Sequence, residues 1–217
     1  MWTWYASRGA GLVSLVLLTV TLLLGISGVG RAATDRWPRF ALARLHRNLA
    51  LLAVAFVGTH VLTAVLDGYV DIAWLDVVVP FGAGYEPFWL GLGTVALDLL
   101  AALIVTSLLR ARLGLRTWRL VHLTAYACWS LAVVHGLGIG GADSTTGWVL
   151  AVTLGCVALV VAGLVWRVRI WTSAPTSPPG SASTSATTTS ATTTSATTTS
   201  ATTTSPTTTS MTTRWTA

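Results

Sequence analysis

The four histidines of the chain are the residues whose type and spacing best suit chemistry. His46 and His60 lie 14 residues apart in one apolar segment, and His122 and His135 lie 13 residues apart in another. Ionisable side chains at membrane depth are costly, so they indicate a function by default. On a helix these spacings correspond to about 21 and about 20 Å along the axis. Two parallel spans would therefore present two level pairs, His46 with His122 and His60 with His135.

Paired imidazoles at two depths favour heme over a simple metal ion. Neutral imidazole is a strong ligand for heme iron, and two axial imidazoles leave an iron that transfers electrons. Two porphyrins, one near each leaflet, would fit between such spans. Zinc needs its ligands within about 2 Å of one ion, so the four histidines cannot share one. The alternative is a heme-free membrane scaffold or transporter whose histidines only pack between helices.

The helical repeat places both histidines of a segment on one helix face in only one of the two segments. Fourteen steps of about 100° return to within about 40° of the same helix face, whereas thirteen steps end about 140° away. His46 and His60 therefore share a face, and His122 and His135 do not on an ideal helix. A π-bulge or a strong tilt is expected to turn His135 inward.

The elements that carry the histidines are transmembrane helices. Only 9% of the residues are charged, against about 25% in a soluble domain. Five apolar segments are long enough to cross a bilayer: Gly11 to Gly30, His46 to Leu66, Phe88 to Leu109, Arg119 to Leu137 and Trp148 to Trp166. They predict an all-α integral membrane protein, a bundle of about five transmembrane helices. The first segment is expected to be retained, since four more follow it. Residues 72–81 are too short to span and predict a re-entrant or interfacial segment.

Charge predicts the orientation of the bundle. The 13 basic residues are all arginine, and eleven of them fall on one side of the predicted spans: Arg31, Arg36, Arg39, Arg44, Arg47, Arg110, Arg112, Arg116, Arg119, Arg167 and Arg169. Cytoplasmic loops collect arginine, so the N-terminus is predicted outside and the C-terminus in the cytoplasm. Eight tryptophans near span ends are interpreted as interfacial anchors: Trp2, Trp4, Trp74, Trp89, Trp118, Trp148, Trp166 and Trp171.

The last part of the chain has a different composition. Residues 172–217 are almost entirely Ser, Thr, Ala and Pro, which cannot bury enough apolar surface to offset chain entropy. We therefore predict a heme-binding domain over residues 1–171 and a disordered cytoplasmic tail over residues 172–217. The two cysteines, Cys128 and Cys156, lie in apolar segments and are expected to be small buried hydrophobic residues.

The histidine segments resemble those of the ferric reductase-like transmembrane domain family. The similar stretches are HRNLALLAVAFVGTH (46–60), WRLVHLTAYACWSLAVVHGLGIGGADS (118–144) and VPFGAGYEPFWLGLGTVALDLLAALIVTS (79–107). The family includes the membrane parts of ferric reductases and NADPH oxidases, and the heme-binding subunit of the bacterial periplasmic methionine sulfoxide reductase system. The resemblance implies two b-type hemes, with His46 and His122 as axial ligands of an inner heme and His60 and His135 as ligands of an outer heme.

The resemblance also implies a redox role in the bacterial plasma membrane. No flavin and nicotinamide domain follows Trp171, so a separate flavin reductase or a membrane quinol is expected as electron donor. The acceptor would lie outside the cytoplasm, as ferric iron or a partner reductase. FMN as a further cofactor and an oxygen-reducing oxidase as a variant of this function stay open. Membrane lipid is an expected partner, and nucleic acid is not.

Five further residues are candidates for supporting roles. Arg8 is expected to pair with a propionate of the outer heme, as in the family, or else to snorkel at the interface. Three arginines could serve the inner propionates or only mark topology: Arg44, Arg47 and Arg119. Asp98 lies near the middle of the third span and is expected to face the bundle, where it could move protons or make a buried polar contact.

Overall fold

The protein folds into five helices and contains no strand within its described residues. The fold is seen in a computed structural model, which describes residues 2–29, 39–68, 70–141, 144 and 147–172. The helices are α1 (Trp2–Val29), α2 (Arg39–Val65), α3 (Pro87–Leu108), α4 (Leu115–Ile139) and α5 (Gly147–Thr172). The predicted disordered tail lies outside the described residues, except for Thr172, which ends α5.

All five helices are long and apolar enough to cross a membrane, so the predicted class, a multi-pass all-α membrane protein, is confirmed. Every helix begins before its hydropathy segment, by one to nine residues. α1 begins at Trp2 rather than Gly11, and α2 begins at Arg39 rather than His46. Hydropathy detects only the residues that prefer hydrocarbon, whereas a helix continues into the interface for as long as its backbone stays hydrogen-bonded. His46 therefore lies two turns inside α2.

The core of the bundle lies where α1, α4 and α5 meet. Its buried residues are Trp129 and Val133 of α4 with Cys156 and Val160 of α5, and leucines of α1 pack against them. α1 is the central helix, because it contacts α2, α4 and α5, whereas α3 packs mainly on α4. Both cysteines are buried and unpaired, as expected.

Residues 72–81 do not form a spanning segment. They contain one turn of 3-10 helix, Trp74–Val77, on the connection between α2 and α3. The hydroxyl of Thr94 in α3 donates to the backbone carbonyl of Asp76 at 2.8 Å and ties this connection to the bundle. Pro87 then occupies the first turn of α3, where a missing N–H costs nothing.

Of the two features expected to turn His135 inward, a π-bulge in α4 or a strong tilt, the π-bulge is wrong. Every residue of α4 from Leu115 to Ile139 is in α-helical conformation, and His135 nevertheless lies beside His60. The estimate from the 100° turn per residue treated α2 and α4 as parallel, so that only one line of side chains on each helix could face the other helix. Packed helices cross at about 20 to 50°, so different faces of one straight helix can approach the same partner at two depths.

Candidate functional site

The four histidines lie in two pairs between α2 and α4. The ring centroids of His46 and His122 are 6.3 Å apart, and those of His60 and His135 are also 6.3 Å apart. The ring planes are inclined by 59° in the first pair and by 77° in the second. We call them the inner pair (His46, His122) and the outer pair (His60, His135), after the orientation that the arginines predict. The sequence predicted this pairing, and the structure brings the residues together accordingly.

Backbone carbonyls of neighbouring helices orient three of the four imidazoles. In each case a ring Nδ1 lies within hydrogen-bond distance of a carbonyl oxygen: His46 with Thr21 at 3.0 Å, His60 with Ser7 at 2.7 Å, and His135 with Trp89 at 2.8 Å. A carbonyl can only accept, so Nδ1 carries the proton in all three rings. The Nε2 atom of each ring then keeps its lone pair. Metal-binding histidines are typically oriented in this way, with the second nitrogen donating to a carbonyl.

His122 is oriented differently. Its Nδ1 is buried without a hydrogen-bond partner, and its ring instead stacks on the indole of Trp118 at 4.8 Å. The guanidinium carbon of Arg110 lies over the indole of Trp118, 4.6 Å from the ring centroid. Two further polar atoms at the inner pair are buried and unpaired, Trp118 Nε1 and Thr21 Oγ1. These unpaired atoms are the kind that a bound polar group would satisfy.

The spacing of the rings fits an ion held between two axial imidazoles. An imidazole nitrogen lies about 2 Å from a coordinated metal, and each ring atom lies about 1.1 Å from its centroid, so two axial rings have centroids about 6.2 Å apart. Both pairs match that separation. Across the described residues, no three His, Cys, Asp or Glu side chains cluster into a metal site. Each pair can therefore supply two ligands, and a porphyrin would supply the other four.

Glycines make room for the histidine rings on the neighbouring helices. A Cβ added at Gly11 of α1 would lie 3.0 Å from the ring of His60, and one at Gly25 would lie 3.7 Å from the ring of His46. A Cβ at Gly93 of α3 would lie only 2.6 Å from His135. Side chains at Gly11 and Gly93 would compete with the imidazoles for the same space, whereas a Cβ at Gly25 would make an ordinary van der Waals contact.

A cavity of about 670 Å³ opens beside the outer pair, within the range of about 300 to 1,000 Å³ that is typical of small-molecule sites. Both His60 and His135 line it, together with Gly11, Gly93 and Arg8. The outer pair therefore has both the ligand atoms and the adjoining space that a planar cofactor requires.

The arginines proposed for the propionates occupy different environments. Arg8 lies over the ring of Trp4 at 4.5 Å and donates through Nη2 to the carbonyl of Gly140 at 2.9 Å. It lines the outer cavity. The three inner candidates are all exposed: Arg44, Arg47 and Arg119. The arginine next to the inner pair is instead Arg110, through its contact with Trp118.

Asp98 does not face the bundle, contrary to expectation. It lies on an exposed face of α3, and it does not line the outer cavity. The cavity is lined instead by the neighbouring residues Ala96 and Leu97. Because successive helix residues are turned by about 100°, a residue adjacent in sequence to a cavity-lining one can point away from it.

Sequence reasoning missed the residues that orient the imidazoles and the glycines that leave room for them. Gly11 and Gly25 had a detectable signal, since they lie 14 residues apart in α1, the same spacing as His46 and His60 in α2. The backbone carbonyls had none, because every residue type carries one. Trp118 was predicted only as an interfacial anchor.

The geometry describes a multi-pass membrane protein with two stacked histidine pairs, and the comparison with known families agrees with it. The sequence model of the family described as ferric reductase like transmembrane component matches residues 10–133. That match covers more than half of the chain, which therefore belongs to this family. It includes His46, His60 and His122 and ends two residues before His135. No curated protein and no solved structure matches the chain.

Proposed function

We propose that this protein transfers electrons across a bacterial plasma membrane through two b-type hemes. In this proposal His46 and His122 would hold the inner heme, and His60 and His135 would hold the outer heme. The observation that carries the proposal is the equal centroid separation of 6.3 Å in both pairs. Membership of the ferric reductase-like family supports the redox role.

The state of the ring nitrogens supports the ligand assignment. A histidine that binds iron needs one ring nitrogen whose lone pair is free, while the other nitrogen orients the ring by donating a hydrogen bond. Three of the rings direct Nδ1 to a carbonyl on α1 or α3. Within the described part of the chain, no hydrogen bond involves Nε2 of any of the four. All four rings therefore keep one nitrogen for an iron ion.

The surrounding residues divide into orienting and neutralising groups. Carbonyls of Thr21, Ser7 and Trp89 fix the rings and make the imidazoles more basic ligands. Bound heme iron supplies one-electron redox chemistry between the two faces of the membrane. Arg8, which lines the outer cavity, is the cation for an outer propionate, because its guanidinium matches a carboxylate bidentately. Its second contact, with Trp4, holds the guanidinium in place.

The direction of transfer follows from the predicted orientation. The arginine-rich end, with the inner pair, faces the cytoplasm, and the outer pair faces outward. The proposed donor is a cytoplasmic flavin reductase or a membrane quinol, with FMN as a candidate additional cofactor. The proposed acceptor is ferric iron or an exported partner reductase. Residues 1–171 form the heme-binding unit in this proposal, and residues 172–217 form a cytoplasmic tail.

The test is an optical spectrum of the purified full chain in detergent, dithionite-reduced minus oxidised, with pyridine hemochrome quantification. About two b-type hemes per chain are expected. Substitution to alanine should remove hemes by pairs: His46→Ala and His122→Ala lose the same heme, and His60→Ala and His135→Ala lose the other.

A matched control is Gly58→Ala in α2, since a Cβ at Gly58 meets nothing within 4 Å. This variant should keep both hemes. A folded wild-type preparation that binds no heme after heme supplementation would overturn the proposal and leave a heme-free scaffold or transporter. Loss of both hemes in each His variant, with the fold intact, would contradict the assignment by pairs.

A further inference from the structure

Asp76 lies on the connection between α2 and α3, at the depth of the outer pair. Its backbone carbonyl accepts a hydrogen bond from the hydroxyl of Thr94 at 2.8 Å. Thr94 is the eighth residue of α3, about 10 Å along the helix axis from the first. It directly follows Gly93, which lies against the ring of His135. The connection therefore turns back from the end of α3 to the level of the outer histidines.

The side chain of Asp76 separates two cavities. One is the outer cavity, which Asp76 lines together with His60 and His135. The other is a pocket of about 540 Å³ that Asp71 and Tyr85 also line, and we call it the outer pocket. Its volume is typical of small-molecule sites. Within the described chain, Asp76 is the one residue that lines both cavities.

The outer pocket carries negative charge. Asp71 is exposed and Asp76 is partly exposed, and among the described residues no arginine lines this pocket. The backbone N–H of Ala73 donates to a carboxylate oxygen of Asp76 at 2.9 Å and holds that side chain in place. Arg8 lines the outer cavity but not the outer pocket. A cleft lined by one sign of charge raises the local concentration of ions of the opposite sign.

We infer that Asp76 makes the outer heme selective for small cationic electron acceptors, such as cationic complexes of ferric iron. This inference rests on the proposed function, because it requires a heme at the outer pair. The step moves one electron and no atoms: the metal ion of the acceptor is reduced from +3 to +2, and the outer heme iron is oxidised from +2 to +3. A pocket of this size admits a small complex rather than the broad surface of a protein.

The test follows heme reoxidation by stopped flow in the full chain, held in phosphatidylcholine nanodiscs with its hemes reduced. Two probes of opposite charge are used, hexaammineruthenium(III) and ferricyanide. At low ionic strength, Asp76→Asn should be oxidised by hexaammineruthenium(III) about fourfold more slowly than wild type, as expected for the loss of one charge about 10 Å from a triply charged ion in water. High salt should reduce this difference. Oxidation by ferricyanide should not become slower.

Two further variants separate charge from structure. Asp76→Glu keeps the carboxylate and should keep the wild-type rate with hexaammineruthenium(III). Asp76→Asn itself keeps an oxygen that can accept from the N–H of Ala73, so its heme content should equal that of wild type. The matched control is Asp98→Asn, because Asp98 is an exposed carboxyl residue that lines neither cavity. It should change neither rate.

Two results would contradict this role of Asp76 in a wild type that binds both hemes. One is an unchanged rate with hexaammineruthenium(III) in Asp76→Asn, and the other is an equal slowing with both probes, which indicates general damage. A wild type without heme would instead refute the proposed function, and the role of Asp76 with it. The heme spectrum recorded before mixing distinguishes these cases.

Discussion

The imidazole of His122 stacks on the indole of Trp118, with ring centroids 4.8 Å apart and planes inclined by 20°. This contact replaces the carbonyl hydrogen bond that each of the other three histidines makes. The guanidinium of Arg110 lies over the same indole of Trp118. A cation over an indole face is attracted by the ring quadrupole, so Arg110 holds Trp118 and Trp118 in turn holds His122.

Replacing Trp118 should therefore loosen the inner pair and spare the outer pair. We expect Trp118→Leu to lose or alter one of two low-spin heme signals in electron paramagnetic resonance, because the ring of His122 becomes free to rotate. Trp118→Phe retains an aromatic face and should keep the wild-type signal. Trp2→Leu is a control, since Trp2 is 89% exposed. Identical spectra for wild type and Trp118→Leu would show that stacking does not orient His122.

A methyl group at Gly93 should disturb the outer pair. The Cβ of Gly93→Ala would lie 2.6 Å from His135, closer than atoms in contact can come, and the backbone of α3 limits how far it can retreat. We expect the variant to lose most of one heme by pyridine hemochrome, with the inner heme retained. Gly155→Ala in α5, where the added Cβ meets nothing within 4 Å and lies outside the outer cavity, should bind heme as wild type does. Full heme content in Gly93→Ala would mean that the ring has an alternative position.

The sequence alone was sufficient to predict the five membrane-spanning helices and to predict which histidines lie side by side. Spacings of 14 and 13 residues on two spans of the same direction decide the pairing, whatever the exact helix bounds. The faces of the helices were harder to predict. His135 was expected to need a π-bulge or a strong tilt, and Asp98 was expected to face inward, because a single sequence does not specify how neighbouring helices cross. Backbone carbonyls such as that of Trp89 leave no trace in the sequence at all.

Trp118 shows why composition rules can hide a site residue. Tryptophan near the end of a span is usually an interfacial anchor, and seven other tryptophans fit that description. What distinguishes Trp118 is its position four residues before His122, which places both side chains on one helix face. A spacing test between aromatic residues and candidate ligands would have identified it.

Removing the positive charge of Arg8 should lower the midpoint potential of the outer heme. A nearby cation favours the reduced form, which carries one positive charge fewer at the iron, so its loss disfavours reduction. We expect Arg8→Leu to shift one midpoint by on the order of −60 mV, about a tenfold change in a one-electron equilibrium. Arg8→Lys should shift it less. Arg116→Leu, an exposed arginine at the other end of the bundle, is the control. Two unshifted midpoints in Arg8→Leu would contradict the propionate role.

The bond from Trp129 to Thr19 should stabilise the bundle independently of heme ligation. The indole Nε1–H donates to Thr19 Oγ1 at 2.9 Å, and Thr19 is only 1% exposed. Thr19→Val keeps the shape but leaves this donor unpaired, which costs about 1 to 3 kcal/mol, so the thermal unfolding midpoint in detergent should fall. Thr59→Val should not change it, because Thr59 is exposed and its hydroxyl bonds only to its own helix. Equal midpoints for Thr19→Val and Thr59→Val would show that the buried bond contributes nothing.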